Sequence, residues 1–170
     1  MSGPAAAELA DCAAMSHRRG SPNRQITPAL SVQALEGSFP GDLGIELVEI
    51  DTERVTGRLG VDGRHLHPGG YVHGGVWVAF ADTVAAWGTM RNLPAGDNFT
   101  TSELKANVFT SATTGDELLA HGEPLHRGAR TQVWEVRVYK GERLAANFVC
   151  TQLVLPAPAA AAAPPPADAT

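Results

Sequence analysis

From Val76 to Met90 the chain reads V-W-V-A-F-A-D-T-V-A-A-W-G-T-M, apolar on most faces of a helix and interrupted by one carboxylate, Asp82. A helix of that kind is normally buried. The run predicts a helix over 74–91, opened by His73-Gly74-Gly75 and closed by Asn92-Leu93-Pro94-Ala95-Gly96. Elsewhere the period is two. Leu43–Ile50 and Arg54–Val61 alternate as two strands, with Asp51-Thr52-Glu53 as their hairpin. After the helix come four more strand candidates, Thr100–Phe109, Glu117–Leu125, Gln132–Tyr139 and Arg143–Leu155. Turn signals separate these four at Thr113–Asp116, His126–Ala129 and Lys140–Glu142. Pro28 to Phe39 predicts a short helix with proline in its first turn, followed by a turn at Phe39-Pro40-Gly41-Asp42.

Strands in series joined by short turns imply an antiparallel sheet. A single long apolar helix needs a large apolar face to bury it. The economical solution is an α+β fold, a curved antiparallel sheet wrapped around the helix. The folded domain is expected over 28–155. Residues 1–27 lack a sustained apolar period and read as a mobile tail, and 156–170 is Ala/Pro low complexity that reads as a disordered tail.

Charge and composition narrow the function. The chain has 170 residues and a formal net charge of −5, which disfavours nucleic acid as a partner. No apolar stretch has bilayer-spanning length. The start, M-S-G-P-A-A-A-E, has no basic region followed by an apolar one, so no secretory leader is expected. The two cysteines, Cys12 and Cys150, make no disulfide framework and no metal spacing, which fits a reducing, cytoplasmic setting. The alternation around Cys150 reads as core packing rather than as a nucleophile.

Asp82 is the candidate for chemistry. A carboxylate on a buried face is costly unless it is paired or hydrogen-bonded. The helix start nearby offers free backbone N–H groups. His73-Gly74-Gly75, Asp82 eight positions after Gly74, and Leu66-His67-Pro68 ahead of the turn together resemble the hotdog-fold acyl-CoA thioesterases. The nearer resemblance is to the phenylacetate-pathway and 4-hydroxybenzoyl-CoA thioesterase branch. Thr101–Phe109 is similar to that branch's strand after the helix, and Gly128–Trp134 to its later turn and strand. The likeness spans about 40–155. It implies the hotdog fold, hydrolysis of an acyl-CoA with an aromatic acyl group, no cofactor beyond the coenzyme A of the substrate, and a homodimer that often pairs into a tetramer.

The resemblance also assigns residues. Asp82 is the general base or the nucleophile. Gly74 supplies an N–H for the developing oxyanion, helped by the helix dipole. His67 stands where the family carries Asn or Gln and can donate to the thioester carbonyl, although a histidine can also titrate. Thr101 matches the Ser/Thr that holds the water or the carboxylate, and His73 fixes the turn. Eight residues of helix rise about 12 Å, so Gly74 and Asp82 of one chain cannot meet at one carbonyl carbon. If both act, they come from two chains across a twofold axis. Arg127 and Arg130, with Thr131, are candidates for the CoA phosphates, and Lys105 is a weaker one.

Several of these residues also have plain readings. The arginines are solvated turn residues, His65 is structural, and Trp77, Phe80 and Trp87 fill the core or a dimer interface. His65, His67 and His73 are not joined by a carboxylate or cysteine at zinc-like spacing, so no metal is expected. A G-x-S-x-G elbow is absent. The rivals are a non-catalytic acyl-binding module and a hydratase on the same fold.

Overall fold

A computed structural model describes residues 26–157. The chain forms α1 (Pro28–Leu35), α2 (Phe39–Asp42), β1 (Ile45–Ile50), β2 (Val55–Gly60), a 3-10 turn (Gly63–His65) and α3 (Gly74–Asn92). Then follow β3 (Asn98–Val108), β4 (Glu117–Arg127), β5 (Thr131–Lys140) and β6 (Arg143–Leu155). The six strands make one antiparallel sheet in the order β1-β2-β4-β5-β6-β3. α3 touches every strand, so the sheet wraps it as the α+β hotdog expectation requires.

The wrapping is driven by the apolar face of α3. Trp77, Phe80, Ala81, Val84, Ala85 and Trp87 are buried against a sheet face that includes Leu59, Leu118, Trp134, Val136, Val138 and Phe148. Complete burial of a side chain such as Phe80 contributes about 1.5–3 kcal/mol. Two glycines set how closely the layers approach. A Cβ at Gly88 of α3 would lie 2.5 Å from the Trp134 ring, and one at Gly57 of β2 would lie 2.7 Å from Val84.

Several boundaries differ from expectation. The first helix stops at Leu35 because Gly37 adopts φ +67°, and the expected Phe39–Asp42 turn is the short helix α2, capped by the Ser38 hydroxyl. β4 continues through His126 and Arg127, expected in a turn, because a bulge after Pro124 restores the ladder so that Arg127 pairs with Gln132. The Gly128 N–H then closes the hairpin on the Thr131 carbonyl at 2.8 Å. Ile26, assigned to the N-terminal tail, is 9% exposed and joins the core. The rest of both expected tails, apart from Thr27, Pro156 and Ala157, lies outside the described residues.

The loop between β2 and α3 is firmly held. His65 is fully buried. Its Nδ1 accepts from the Asp62 N–H at 2.9 Å, and its Nε2 donates to the Leu43 carbonyl at 2.8 Å. Leu66 and Val72 bridge to each other, and the Val72 N–H donates to the Ala112 carbonyl at 2.8 Å. The Thr113 hydroxyl donates to the Gly70 carbonyl at 2.9 Å.

Candidate active site

The expected residues fall into two groups at different places along α3. The first group is at the helix start. His73 is the N-cap, in an extended conformation (φ −63°, ψ 141°). Its Nδ1 accepts from the Gly75 N–H at 2.9 Å, and its carbonyl accepts from the Val76 N–H at 2.9 Å. No described residue accepts from the Gly74 N–H, which is left pointing from the positive end of the helix. A Cβ at Gly74 would meet nothing within 4 Å in its own chain. Packing within the chain therefore does not require glycine there.

His67 belongs to this group through the loop. Its ring curls back so that Nδ1 accepts from the Gly69 N–H at 2.9 Å. Gly69 makes this possible, since a Cβ there would lie 2.5 Å from the ring. The Tyr71 ring lies beside it, tilted, with centroids 6.1 Å apart. An imidazole whose Nδ1 accepts a hydrogen bond carries its proton on Nε2 when neutral. His67 thus presents an N–H donor, the same chemistry that an Asn or Gln amide offers.

The second group surrounds Asp82, two turns further along α3. The Thr101 hydroxyl on β3 donates to Asp82 Oδ1 at 2.7 Å. A bulge between Thr101 and Glu103 turns Thr101 to the inner face opposite Gln152, while Leu104 also faces inward opposite Cys150. The Gln152 Nε2 donates to the same Asp82 oxygen in a longer contact of 3.5 Å. Gln152 Oε1 lies 3.0 Å from the Thr101 hydroxyl oxygen. No described residue bonds to Asp82 Oδ2. Asp82 itself is half-buried.

Gln152 was not anticipated from the sequence. Its signal was parity: it is in step with Phe148, Cys150 and Val154, all on the buried face of β6. Cys150 is fully buried, and its thiol is pushed up to about 12 by burial and then by the charge of Asp82. It is a core residue and not a nucleophile at neutral pH.

The phosphate candidates lie elsewhere. Arg127 pairs with Glu53 at 2.8 Å and donates to the Thr52 carbonyl at 3.0 Å. The register row Arg127–Gln132–Gln152–Thr101 places it three strand spacings, about 14 Å, from Thr101. Arg130 is exposed in the β4–β5 turn, and no described residue bonds its guanidinium. Thr131, half-buried, follows it at the start of β5. Among the described residues, no group of three or more His, Cys, Asp or Glu comes together in a way that could hold a metal ion.

Residues 69–146 match the model of the thioesterase superfamily, a span that includes Gly74, Asp82 and Thr101. The chain is 37% identical over 118 residues to ComA2 of Bacillus subtilis, covering 66% of this chain and 90% of that one. It is 32% identical over 110 residues to the 1,4-dihydroxy-2-naphthoyl-CoA hydrolase of Listeria monocytogenes, covering 64% and 89%. The chain belongs to the thioesterase superfamily. It is an enzyme, a thioester hydrolase. A thioesterase from Haemophilus influenzae superposes with a TM-score of 0.73 at 25% identity, over 79% of this thioesterase and 94% of that chain. No described helix of this thioesterase is long and apolar enough to cross a membrane.

Proposed function

We propose that this thioesterase hydrolyses acyl-CoA thioesters with an aromatic acyl group, such as phenylacetyl-, benzoyl- or hydroxybenzoyl-CoA, at sites shared between two copies of the chain. The aromatic class is supported by the Listeria relative, whose named substrate is a naphthoyl-CoA. The observation that carries the site is the division on α3. An unused backbone donor stands at Gly74, and a carboxylate with one oxygen held and one free stands at Asp82. Eight residues of helix, about 12 Å, separate them.

A second copy can close that gap. β3 is the edge of the sheet, yet Thr101, Ala106 and Val108 are exposed although they pair with the buried Gln152, Phe148 and Ala146. Directly paired residues share a face, so part of the inner face is uncovered. Beside it, α3 presents Gly75 and Val78 as exposed residues and Ala79, Asp82 and Ala86 as half-buried ones. A twofold partner with its helix antiparallel would cover this strip and bring its own Gly74 toward Asp82. The site needs the dimer only; a tetramer would be a further pairing of such dimers.

In that site the thioester carbonyl lies against the Gly74 N–H, with the His67 Nε2–H as a second donor. Asp82 Oδ2 takes a proton from water as the water oxygen adds to the carbonyl carbon, or attacks that carbon itself. The tetrahedral oxyanion is held by the backbone donor. The C–S bond then breaks and CoA leaves as the thiolate, which takes up a proton; on the nucleophile route this leaves a mixed anhydride on Asp82 that water hydrolyses to the free acid, restoring the carboxylate. Arg130 and Thr131 meet the CoA phosphates. Arg127 can join them, because its exposed ion pair with Glu53 is a weak competitor. The reaction takes place in the cytoplasm and uses no cofactor.

The test is Asp82→Asn with a panel of benzoyl-, phenylacetyl-, hydroxybenzoyl- and hexanoyl-CoA, with the oligomer measured by light scattering. Loss of the acid lowers kcat by about 100-fold or more, with the fold and the dimer intact. Wild-type turnover by the folded variant, or an active monomer, sinks the site. Equal cleavage of hexanoyl-CoA sinks the aromatic assignment alone.

A further inference from the structure

Gln152 is 0% exposed on the inner face of β6. An amide placed there is costly unless it is bonded, and an apolar side chain of similar volume would pack as well. Among the described residues its side chain bonds only to Thr101 and Asp82. It ties no strand ladder, cap or loop, so its chemistry is directed at the acid.

Thr101 has one hydroxyl proton and two acceptors, Asp82 Oδ1 at 2.7 Å and Gln152 Oε1 at 3.0 Å. While Asp82 is a carboxylate, the charge-assisted bond holds that proton. When Asp82 gains a proton from water, Oδ1 becomes a poorer acceptor. The hydroxyl can then turn to Gln152 without losing a bond. The Gln152 Nε2 remains on the Asp82 side throughout. We propose that Gln152 is a positioning residue for the reaction: it anchors the inner oxygen of Asp82 so that the outer one faces the substrate, and its Oε1 accepts the hydrogen bond of the Thr101 hydroxyl when the charge on Asp82 is neutralised. This rests on Asp82 being the reacting acid.

Double-mutant kinetics test it. Gln152→Leu lowers kcat about tenfold with KM within about twofold. Thr101→Val has a similar effect, and the two together are no worse than about the larger single loss, because both act through one oxygen. In an Asp82→Asn background, Gln152→Leu makes no further difference. If Gln152→Leu does not fold by circular dichroism, Gln152→Met carries the same readout. An unchanged kcat, a rise in KM alone, or multiplicative losses in the Asp82→Asn background overturn the role of Gln152. Full activity of Asp82→Asn would instead overturn the assignment of the acid, so the two failures are distinct.

Discussion

Gly74→Pro deletes one hydrogen-bond donor and leaves the helix able to form. Gly74 is the first residue of α3, a position where proline's fixed φ is favourable and its missing N–H is not needed by the helix. His73 already has φ −63° and ψ 141°, the extended geometry that a following proline requires. The bonds from Gly75 to the His73 ring and from Val76 to the His73 carbonyl, both 2.9 Å, are untouched. A Cβ meets nothing within 4 Å, so stability should hold within about 0.5 kcal/mol. Removal of one oxyanion donor costs about 2.7–4 kcal/mol in the transition state, or about 100- to 1000-fold in kcat. Gly74→Ala keeps the N–H and separates bulk from the lost donor, so it loses less. Gly88→Ala, on the same helix, gives the reverse signature. Its Cβ would press 2.5 Å from a Trp134 ring that is 0% exposed. Overpacking of about 1–3 kcal/mol outweighs the gain of about 1 kcal/mol from replacing a helix glycine, while kcat of the folded protein stays. The assays are release of the CoA thiol and urea melts. A folded Gly74→Pro dimer with kcat within about threefold of wild type would refute the donor assignment.

Acid stability and thiol reactivity supply two more checks. The Arg64 guanidinium, then its backbone N–H, holds the Asp62 carboxyl down to about 2 from its ordinary 3.8. A depressed carboxylate contributes stability above its unfolded value and loses it as pH falls through its folded one. Asp62→Asn should therefore flatten the decline of the urea midpoint between 3.8 and about 2; the same slope in both proteins would remove this account. The raised Cys150 thiol should leave its peptide unalkylated by iodoacetamide at about pH 8 until denaturant is added. Labelling of that peptide in the native protein would show that the α3–β6 seam opens.

The sequence was most legible where one physical signal acted alone. The apolar run, the opening glycine and Pro94 placed α3 to within a residue or so, and strict alternation did the same for β5. The link between Asp82 and Thr101 followed from motif resemblance, and the structure joins them by a hydrogen bond. Strand order was not legible, because β3 lies at the far edge beside β6, and no local pattern encodes a partner so distant in sequence. Bulges hid two features. One lets Thr101 and Leu104 both face inward, and the other carries Arg127 into β4 and toward Glu53. Gln152 was not legible, because its parity with Cys150 and Val154 marks only an inward-facing position, and its partner Asp82 lies 70 residues away in sequence.

The strip of α3 that carries Asp82 also holds the exposed Val78 and the half-buried Ala79 and Ala86. In the proposed dimer those side chains face the acyl group and the second copy at once. A replacement that reshapes the pocket for a new acyl group also alters how the two copies hold together. Substrate range and association then cannot drift apart over evolutionary time. A new specificity is accessible only along paths on which the pair remains a pair.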